Sequence, residues 1–423
     1  MSAGNLEQRL VSEISRIPLL DPHSHINPLS PAARNFDEIL GYHYYTELAH
    51  SAGMSQECLA RDYPAQERVR TILAQAPCFA NTAQYSWLLE IARTFLGFQG
   101  NDLSAKDTDW LWQTAQQKMT QPDWDEQVLR TTNVERVFLT NDFDDPLTGF
   151  DTNRYVPCLR TDDLVFHLHR PAVKRRLKNT TNSEVNSASK LRAALALRFA
   201  HFIKHGAKAC AISLPPSFTP VRVPEAELDT YLQAPQPDAQ QTAAGNRAVF
   251  WMLAELCHEF RLPFDLMIGV NRAVYQAGVY QGQDLFDRRT SLIQYAELFN
   301  AFPQVTFCVS VLDSAQNAEL LAYSWIFPNV VTSGHWWYAN IPALIERDAA
   351  ARLQAVPLTK QLGYYSDAYK LEFILPKFNM YRRILARILA RDFVQDRGWS
   401  EDRAVELARQ LLRGNVARIF KLS

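Results

Sequence analysis

Cysteine is sparse and unpatterned in this chain of 423 residues. The six cysteines are scattered, and they form neither a CxxC pair nor a dense framework. This spacing excludes a disulfide-stapled scaffold, and several of the cysteines lie in apolar runs. We therefore expect buried free thiols in a reducing compartment.

An excess of one charge and long apolar runs are also missing. The 44 basic and 45 acidic side chains give a net charge of -1, so the chain lacks the basic field that binds nucleic acid or anionic lipid. The one cationic run, Arg170 to Lys178, reads as a solvated loop. No apolar run approaches the length of a membrane span, and the first residues are polar and amphipathic, unlike a signal peptide. We expect a cytoplasmic protein with neither nucleic acid nor membrane as partner.

Short apolar runs rich in β-formers recur between helical stretches. They are IPLLDPHSH near the start and then VERVFLTND, RYVPCLRTD, AKACAISLP, PFDLMIG, VTFCVSVLD, VVTSGHWW and LGYYSDA. Non-alternating runs separated by helices are typical of buried parallel strands. Eight such repeats predict an α/β fold of the TIM (β/α)8 barrel type, with its active site at the carboxyl ends of the strands. A doubly wound sheet is the alternative, but no glycine-rich phosphate loop follows any of these runs.

Between the first and second predicted strands, about a hundred residues show only helical spacing of apolar side chains. This pattern divides the chain into three parts. Residues 1–30 hold an N-terminal helix and the first barrel strand, residues 31–130 form a helical insertion, and residues 131–423 hold the remainder of the barrel with C-terminal helices.

The stretch PLLDPHSHINP places Asp21, His23 and His25 at strict alternation after an apolar run. Residues two apart on a strand point to the same side, and neighbouring neutral imidazoles suit a divalent metal. A polar strand end with histidines bonded to backbone is the alternative for so common a motif. Asp21 is expected to hold backbone or a histidine, without touching metal.

Asp367 closes the last predicted strand, and in a closed barrel that strand pairs with the first. His23, His25 and Asp367 would then form a three-ligand site with open positions for water or substrate, as a catalytic metal requires. The ligand types fit zinc, and they are also compatible with manganese or iron. A rival pair, His167 and His169, lacks a partner at a strand end, so we interpret it as a surface feature.

Several ordered motifs resemble one family along almost the whole chain. They are LLDPHSHINP, NFDEILGYHYYTELAHSAGM, NVERVFLTNDFDDPL, VPCLRTDD, VTSGHWWYAN, GYYSDA and the tail LLRGNVARIFKL. Together they resemble the uronate isomerases, a divergent branch of the amidohydrolase superfamily. The resemblance implies one divalent metal, a sugar acid as substrate and a homo-oligomeric assembly.

The resemblance also implies roles for particular residues. His23, His25 and Asp367 would ligate the metal, and Asp367 would handle a proton of a metal-bound hydroxyl or water. His43, with Tyr44 beside it, matches a histidine near the substrate. Arg160 would pair with the substrate carboxylate through its planar fork. Trp336 and Trp337 match an aromatic pair, for which packing in the barrel wall is an equal alternative.

Four departures from the family pattern are informative. An acidic residue is replaced by Tyr42, a histidine by Met267, an Asp-His pair by Ala211 and Ile212, and an arginine by Tyr369. Such changes alter which substrate satisfies the pocket, so Met267, Ile212 and Tyr369 could line a less polar one. The residues that could complete the site instead are His335, Tyr338, Asn340, Tyr364 and Tyr365.

Three functions follow from this pattern. The first is a metal-dependent isomerase that interconverts the aldose and ketose forms of a sugar acid, of the glucuronate–fructuronate type. The second is an amidohydrolase-superfamily hydrolase or decarboxylase acting on a less polar substrate. The third is a barrel that has lost catalysis, against which the retained His23, His25 and Asp367 argue.

Overall fold

The computed structural model describes residues 3–422, which form an α/β fold with parallel sheets. Its strands are β1 (Leu19–Asp21), β2 (Val134–Phe138), β3 (Asn141–Asp142), β4 (Tyr155–Val156), β5 (Cys158–Arg160), β6 (Ala209–Leu214), β7 (Phe264–Ile268), β8 (Val270–Asn271), β9 (Leu285–Phe286), β10 (Phe307–Val311), β11 (Val330–Ser333) and β12 (Gln361–Leu362). All eight predicted strands are present. The short antiparallel pair β8–β9 was not predicted, since each of its strands has two residues.

The helices fill the intervals between these strands. They are α1 (Ala3–Ser15), α2 (Phe36–Leu40), α3 (His43–Ser51), α4 (Ala65–Gln75), α5 (Ala83–Ile91), α6 (Thr108–Met119), α7 (Trp124–Thr132), α8 (Asp162–Phe166), α9 (Pro171–Thr181), α10 (Ala188–Lys204), α11 (Glu225–Gln233), α12 (Ala239–Phe260), α13 (Ala296–Ala301), α14 (Ser314–Ile326), α15 (Pro342–Ala355), α16 (Ile374–Ile388), α17 (Glu401–Arg409) and α18 (Asn415–Ile419). None of the helices in residues 3–422 combines the length and apolar character needed to span a bilayer.

The parallel strands lie in two sheets. One has the order β1-β2-β4, and the other has the order β12-β11-β10-β7-β6-β5-β3. The second and third predicted strands are each broken into two pieces that belong to different sheets. Between β4 and β5 stands Pro157, which has no N–H to continue a ladder. Beside it the Cys158 N–H donates to the side chain of Asn141 at 3.3 Å, in place of a backbone carbonyl.

The last predicted strand is shorter than expected. Only Gln361–Leu362 pair in the sheet, and the segment from Tyr364 to Ala368 is irregular. Asp367 has φ +50°, in the left-handed region that extended backbone does not visit. The polar end of this segment is therefore a shaped loop.

Strand alternation separates two apolar layers. On β6, Cys210, Ile212 and Leu214 face the helices, whereas Ala209 and Ala211 pack on the other side with Cys308 and Val331. Helix α18 and the residue after it cover that inner layer, with the rings of Phe420 and Phe138 at 4.8 Å between centroids. One end of the strands is thereby closed by apolar packing, and the carboxyl ends stay free for a site.

The segment between β1 and β2 is helical, as predicted, and it holds α2 to α7. Its apolar side chains share one buried cluster with α1, α16 and α17. The division of the chain at residues 30 and 130 into separate units stays a prediction.

Candidate active site

A cavity of about 560 Å³ lies at the carboxyl ends of the parallel strands. Its lining comes from the segments that follow these strands, and polar side chains predominate in it. The lining residues are His25, Ile26, Asn27, Pro28, His43, Leu139, Thr140, Asn141, Asp142, Asp145, Arg160, Ser213, Met267, Arg272, Gln281, Asp284, Trp336, Trp337, Asp367 and Tyr369.

The three predicted metal ligands meet beside this cavity. His23 Nε2 lies 3.5 Å from Asp367 Oδ1, and His25 Nε2 lies 3.3 Å from the same oxygen. One possible ligand atom from each of the three residues lies within 4.8 Å of the other two. Within residues 3–422 this is the one group of three or more such residues. Both histidines lie beyond β1, which ends at Asp21, in an irregular segment, and both imidazoles reach one carboxylate.

Neighbouring side chains orient each candidate ligand. His23 Nδ1 lies 3.4 Å from Oδ2 of Asp265 on β7, and His25 Nδ1 lies 2.8 Å from the hydroxyl of Thr140. Asp21 accepts hydrogen bonds from the backbone N–H and the hydroxyl of Ser366, the residue before Asp367. These contacts fix the rings so that Nε2 of each imidazole points at Asp367, as second contacts to metal-binding histidines do.

The charges of the group fit a divalent cation. Burial lowers the pKa of His23, but the carboxylates of Asp265 and Asp367 outweigh this effect and raise it to about 10. Burial likewise opposes ionisation of Asp367, yet the two histidines hold its pKa well below its usual range. In residues 3–422, neither His23 Nε2 nor Asp367 Oδ1 has a hydrogen-bond partner. A cation would satisfy both atoms and replace the proton on His23.

His43, at the start of α3, lines the cavity beside the ligands. Its ring meets the edge of Trp337 at 5.6 Å, and burial lowers its pKa to about 3. The imidazole is therefore neutral near pH 7. Tyr44 follows it in the chain but lies behind the wall, packed against Tyr42 and Trp87, and it does not line the cavity.

Arg160 reaches the cavity from the end of β5, where its Nε donates to Asp162 at 3.2 Å. Trp336 and Trp337 both line the cavity, so these aromatic side chains form part of its wall. Met267 lines the cavity from β7, and the Tyr369 ring stacks on His25 at 5.0 Å.

Two of the four departures lie elsewhere than expected. Ile212 faces the helical layer and cannot line the site, because its strand neighbours Ala211 and Ser213 point the other way. Ala211 pairs with Asp265, one layer below the row that holds Ser213 and Met267. The prediction that Met267, Ile212 and Tyr369 line one pocket is therefore wrong for Ile212.

Tyr42 lies behind the ligands. It contributes to a second cavity of about 520 Å³, which shares His25, Asn27, His43, Gln281 and Tyr369 with the first. The five candidates near the last strands, His335, Tyr338, Asn340, Tyr364 and Tyr365, line neither of these two cavities in the part of the chain that is described. Tyr365 instead packs beneath His23, with ring centroids 5.2 Å apart.

Sequence reasoning missed several polar residues of the site. Asp265 is an acidic residue in the apolar strand PFDLMIG, two positions before Met267, and this oddity could have marked it. Ser213 is likewise two positions after Ala211. Arg272, Gln281 and Asp284 come from the β8–β9 connection, and no local pattern in the sequence places that connection over the cavity.

The rival histidine pair remains apart from the ligands. His167 ends α8, and His169 follows in the next turn, each partly buried. Neither belongs to a group of three candidate ligands within residues 3–422.

A parallel α/β fold with a His-His-Asp group that could hold a metal ion at its strand ends is of the amidohydrolase-like kind. A sequence model of the glucuronate isomerase family matches residues 3–420, so the chain belongs to that family. The predicted uronate isomerase resemblance is thereby confirmed, and with it the prediction of an enzyme of the isomerase type.

Known proteins agree with this assignment over nearly their whole lengths. The uronate isomerase of Mannheimia succiniciproducens is 23% identical over 415 residues, covering 88% of each chain. The structure of a uronate isomerase from Thermotoga maritima has a TM-score of 0.90 at 18% identity and covers 98% of this chain and 97% of its own. A glucuronate isomerase from Caulobacter crescentus gives 0.90 at 18% identity, with 100% and 95% covered. The two structures show that the fold is shared.

Proposed function

We propose that this chain interconverts the aldose and ketose forms of a hexuronate, of the glucuronate–fructuronate type. The observation that carries the proposal is one polar cavity that holds the His23–His25–Asp367 group together with Arg160. Family membership gives the reaction class, and the cavity supplies groups that such a reaction needs.

His23, His25 and Asp367 would hold one divalent ion, for which zinc is our first choice and manganese or iron the alternatives. When bound, the ion supplies Lewis-acid polarisation of a substrate oxygen. Asp265 and Thr140 hold the two imidazoles in the orientation that this role requires.

Arg160 would bind the substrate carboxylate. Its guanidinium is a planar fork of N–H donors that matches a carboxylate in geometry. The Asp162 contact at 3.2 Å holds the side chain at its Nε. Within residues 3–422 the two terminal nitrogens have no hydrogen-bond partner that a substrate would have to displace. The substrate would then lie with its acid end toward β5 and its reacting carbons toward Asp367 and His43.

Asp367 and His43 would move the protons. The carboxylate of Asp367 is ionised beside the two histidines. As the carboxylate next to the reacting carbons, it would accept a proton from a sugar hydroxyl during ring opening. His43 is neutral, and its Nδ1 has no hydrogen-bond partner in residues 3–422. A neutral imidazole can take a proton at one carbon and return it at the next.

The polar lining also supports a sugar acid over the less polar substrate of a hydrolase or decarboxylase. Asn27, Thr140, Ser213, Gln281 and Asp284 all face the cavity. They supply polar partners for hydroxyl groups that the thioether of Met267 cannot supply. A substrate without hydroxyls would leave these groups unpaired.

We further infer that the two parallel sheets are arcs of one (β/α)8 barrel. Supporting this, the His25 N–H donates to Ala368 O at 2.8 Å, and the Asp367 N–H donates to His23 O at 3.1 Å. These bonds join the segment after β1 to the segment after β12. The cytoplasmic location and the homo-oligomeric state stay predictions.

Proton NMR of D-glucuronate and D-galacturonate incubated with zinc- or manganese-loaded protein tests the proposed reaction. Ketose signals that appear with the wild-type chain and vanish with His23→Ala would support it. Unchanged sugars in the presence of bound metal would overturn it, and the family would then describe ancestry alone.

A further inference from the structure

The loop Ser366–Ala368, which carries Asp367, has all six of its backbone polar atoms held. The Ser366 N–H donates to Asp21, and the Asp367 N–H donates to the backbone of His23. The Ala368 N–H is bonded to the Ser366 hydroxyl, and Ala368 O accepts from the His25 N–H. The two remaining atoms, the carbonyl oxygens of Ser366 and Asp367, are bonded to side chains from elsewhere in the chain.

Lys377 and Tyr42 supply those two bonds. Lys377 Nζ donates to Ser366 O at 2.6 Å and to the Tyr42 hydroxyl at 2.9 Å, and that hydroxyl donates to Asp367 O at 2.8 Å. The tyrosine thus accepts one hydrogen bond and passes on another. A carboxylate at position 42 could accept from Lys377 but could not donate to the carbonyl.

Lys377 is an unusual residue to find there. Its side chain is fully buried, and the rings of Tyr42, Tyr44 and Trp87 surround its ammonium at 4.9 to 5.3 Å. An ammonium removed from water is costly unless it is paired and hydrogen-bonded. Its hydrogen-bond acceptors are the tyrosine hydroxyl and the carbonyl that precedes Asp367.

The backbone of Asp367 needs such support. Its φ of +50° lies in the left-handed region, which costs a non-glycine residue free energy and persists only where surroundings impose it. Fixing the two carbonyl oxygens fixes the peptide planes on either side of the Asp367 Cα. The direction of the carboxylate toward His23 and His25 follows from those planes.

We propose that Lys377 and Tyr42 are positioning residues, which hold the strained Ser366–Asp367 backbone so that the Asp367 carboxylate meets His23 and His25. Both residues act through the backbone: Tyr42 bonds the carbonyl oxygen of Asp367, and Lys377 bonds that of Ser366. This inference rests on the proposed metal site.

The test measures metal binding directly, in the full-length protein. Zn²⁺ dissociation constants are obtained by competition with a chelator, and the visible spectrum of the Co²⁺-loaded protein reports the coordination geometry. We expect Tyr42→Phe to weaken Zn²⁺ binding by about tenfold and Lys377→Met by about 10- to 100-fold, as for other groups that orient metal ligands. Both variants should shift the Co²⁺ spectrum.

A purely structural role predicts the opposite pattern. Lys377→Met leaves Ser366 O and the Tyr42 hydroxyl without their donor, so the thermal midpoint of the metal-free protein should fall under either role. Zn²⁺ affinity and the Co²⁺ spectrum are what separate the two roles. A lowered midpoint with unchanged Zn²⁺ affinity and Co²⁺ spectrum would overturn the proposal. If Lys377→Met fails to fold, Tyr42→Phe decides, because it removes one hydroxyl alone.

Two matched variants serve as controls. Tyr45→Phe removes a hydroxyl on α3, three residues after Tyr42, that donates to Gln84 O at 3.1 Å. Lys118→Met removes an ammonium that donates to the carbonyls of Phe95 and Leu96. Both should bind Zn²⁺ like the wild type. A wild-type chain that binds no metal would contradict the proposed function itself. Wild-type Zn²⁺ affinity in both Tyr42→Phe and Lys377→Met would contradict the positioning role alone.

Discussion

His23 and Asp367 have 3% and 8% of their side chains exposed, whereas Arg160 and Arg272 at the cavity edge have 38% and 53% exposed. We name His23, His25 and Asp367 the floor, and Arg160, Arg272 and Asp284 the rim. His23 and Asp367 are held by the buried residues Asp265 and Ser366, and His25 by the half-buried Thr140. The two rim arginines are about half-exposed and pair with Asp284 or with Asp162. Such pairs contribute only about 0–1 kcal/mol.

On the proposed function, this difference would let one cavity separate two tasks. A metal site needs ligands fixed within tenths of an ångström, and burial with complete hydrogen bonding supplies that precision. Recognition of a charged substrate needs donors that can leave one partner for another at little cost. Weak, hydrated ion pairs at the rim meet that need.

The largest effect is expected from removing a floor ligand. His23→Ala should lose the metal and with it at least about 10³-fold in kcat/KM, because several kcal/mol of transition-state stabilisation depend on the ion. Metal content by elemental analysis and ketose formation by NMR measure this. The control, His169→Ala, alters the rival histidine pair, and it should keep both the metal content and the ketose formation of the wild type. Stoichiometric metal in His23→Ala would contradict the assigned ligands.

The next effect tests whether the Asp265 carboxylate behind His23 supports metal binding. Asp265→Asn keeps the shape of the side chain but removes the charge next to His23 Nδ1, so Zn²⁺ affinity should fall about 10- to 100-fold. Chelator competition measures this value. Asp348→Asn, at a buried aspartate that accepts from the Ser314 hydroxyl instead, should bind Zn²⁺ like the wild type. Equal affinities in the two variants would refute the pairing of Asp265 with His23.

A smaller effect is expected at the rim. Arg160→Met should raise KM for a hexuronate about tenfold, below the full value of a charged hydrogen bond because water reaches the side chain. The increase should disappear with the corresponding neutral aldose. Arg154→Met removes an equally exposed arginine, which pairs with Glu126 away from the cavity, and should leave KM unchanged. A KM for the hexuronate that stays at the wild-type value would argue against carboxylate binding by Arg160.

The smallest effect concerns pH and His43, which adjoins the floor. Its folded pKa is about 3, and an unfolded histidine titrates near about 6.5. Between these values the unfolded chain binds the extra proton, so the stability that depends on a neutral His43 is present above the unfolded pKa and is lost as pH falls below it.

His43→Gln should therefore lose about 1 kcal/mol less unfolding free energy per pH unit than the wild type between about pH 6 and 4. Urea unfolding of the metal-free proteins at several pH values measures this difference. His258→Gln, at an exposed histidine, should follow the wild type. Parallel curves for His43→Gln and the wild type would show that His43 gains its proton in the folded state.

The sequence predicted the parts of this protein that depend on local repetition. Strand and helix periods predicted eight parallel strands, the helical segment after the first of them, and the shared face of His23 and His25. Strand ends marked Asp367 and Arg160, since polar residues after buried strands collect at one edge of a parallel sheet. The structure places both beside the cavity.

Only the tertiary structure placed Asp265 under His23, Ser213 in the cavity and Ile212 away from it. It also brought Lys377 to Tyr42, 335 positions away in the chain. Periodicity tells which side a residue takes on its own strand, but it carries no information on what a distant strand or helix presents opposite. The candidate ligands His23 and His25 could be read from the sequence because their spacing is local. Asp265 and Thr140 beside them could not, because they arrive through packing alone.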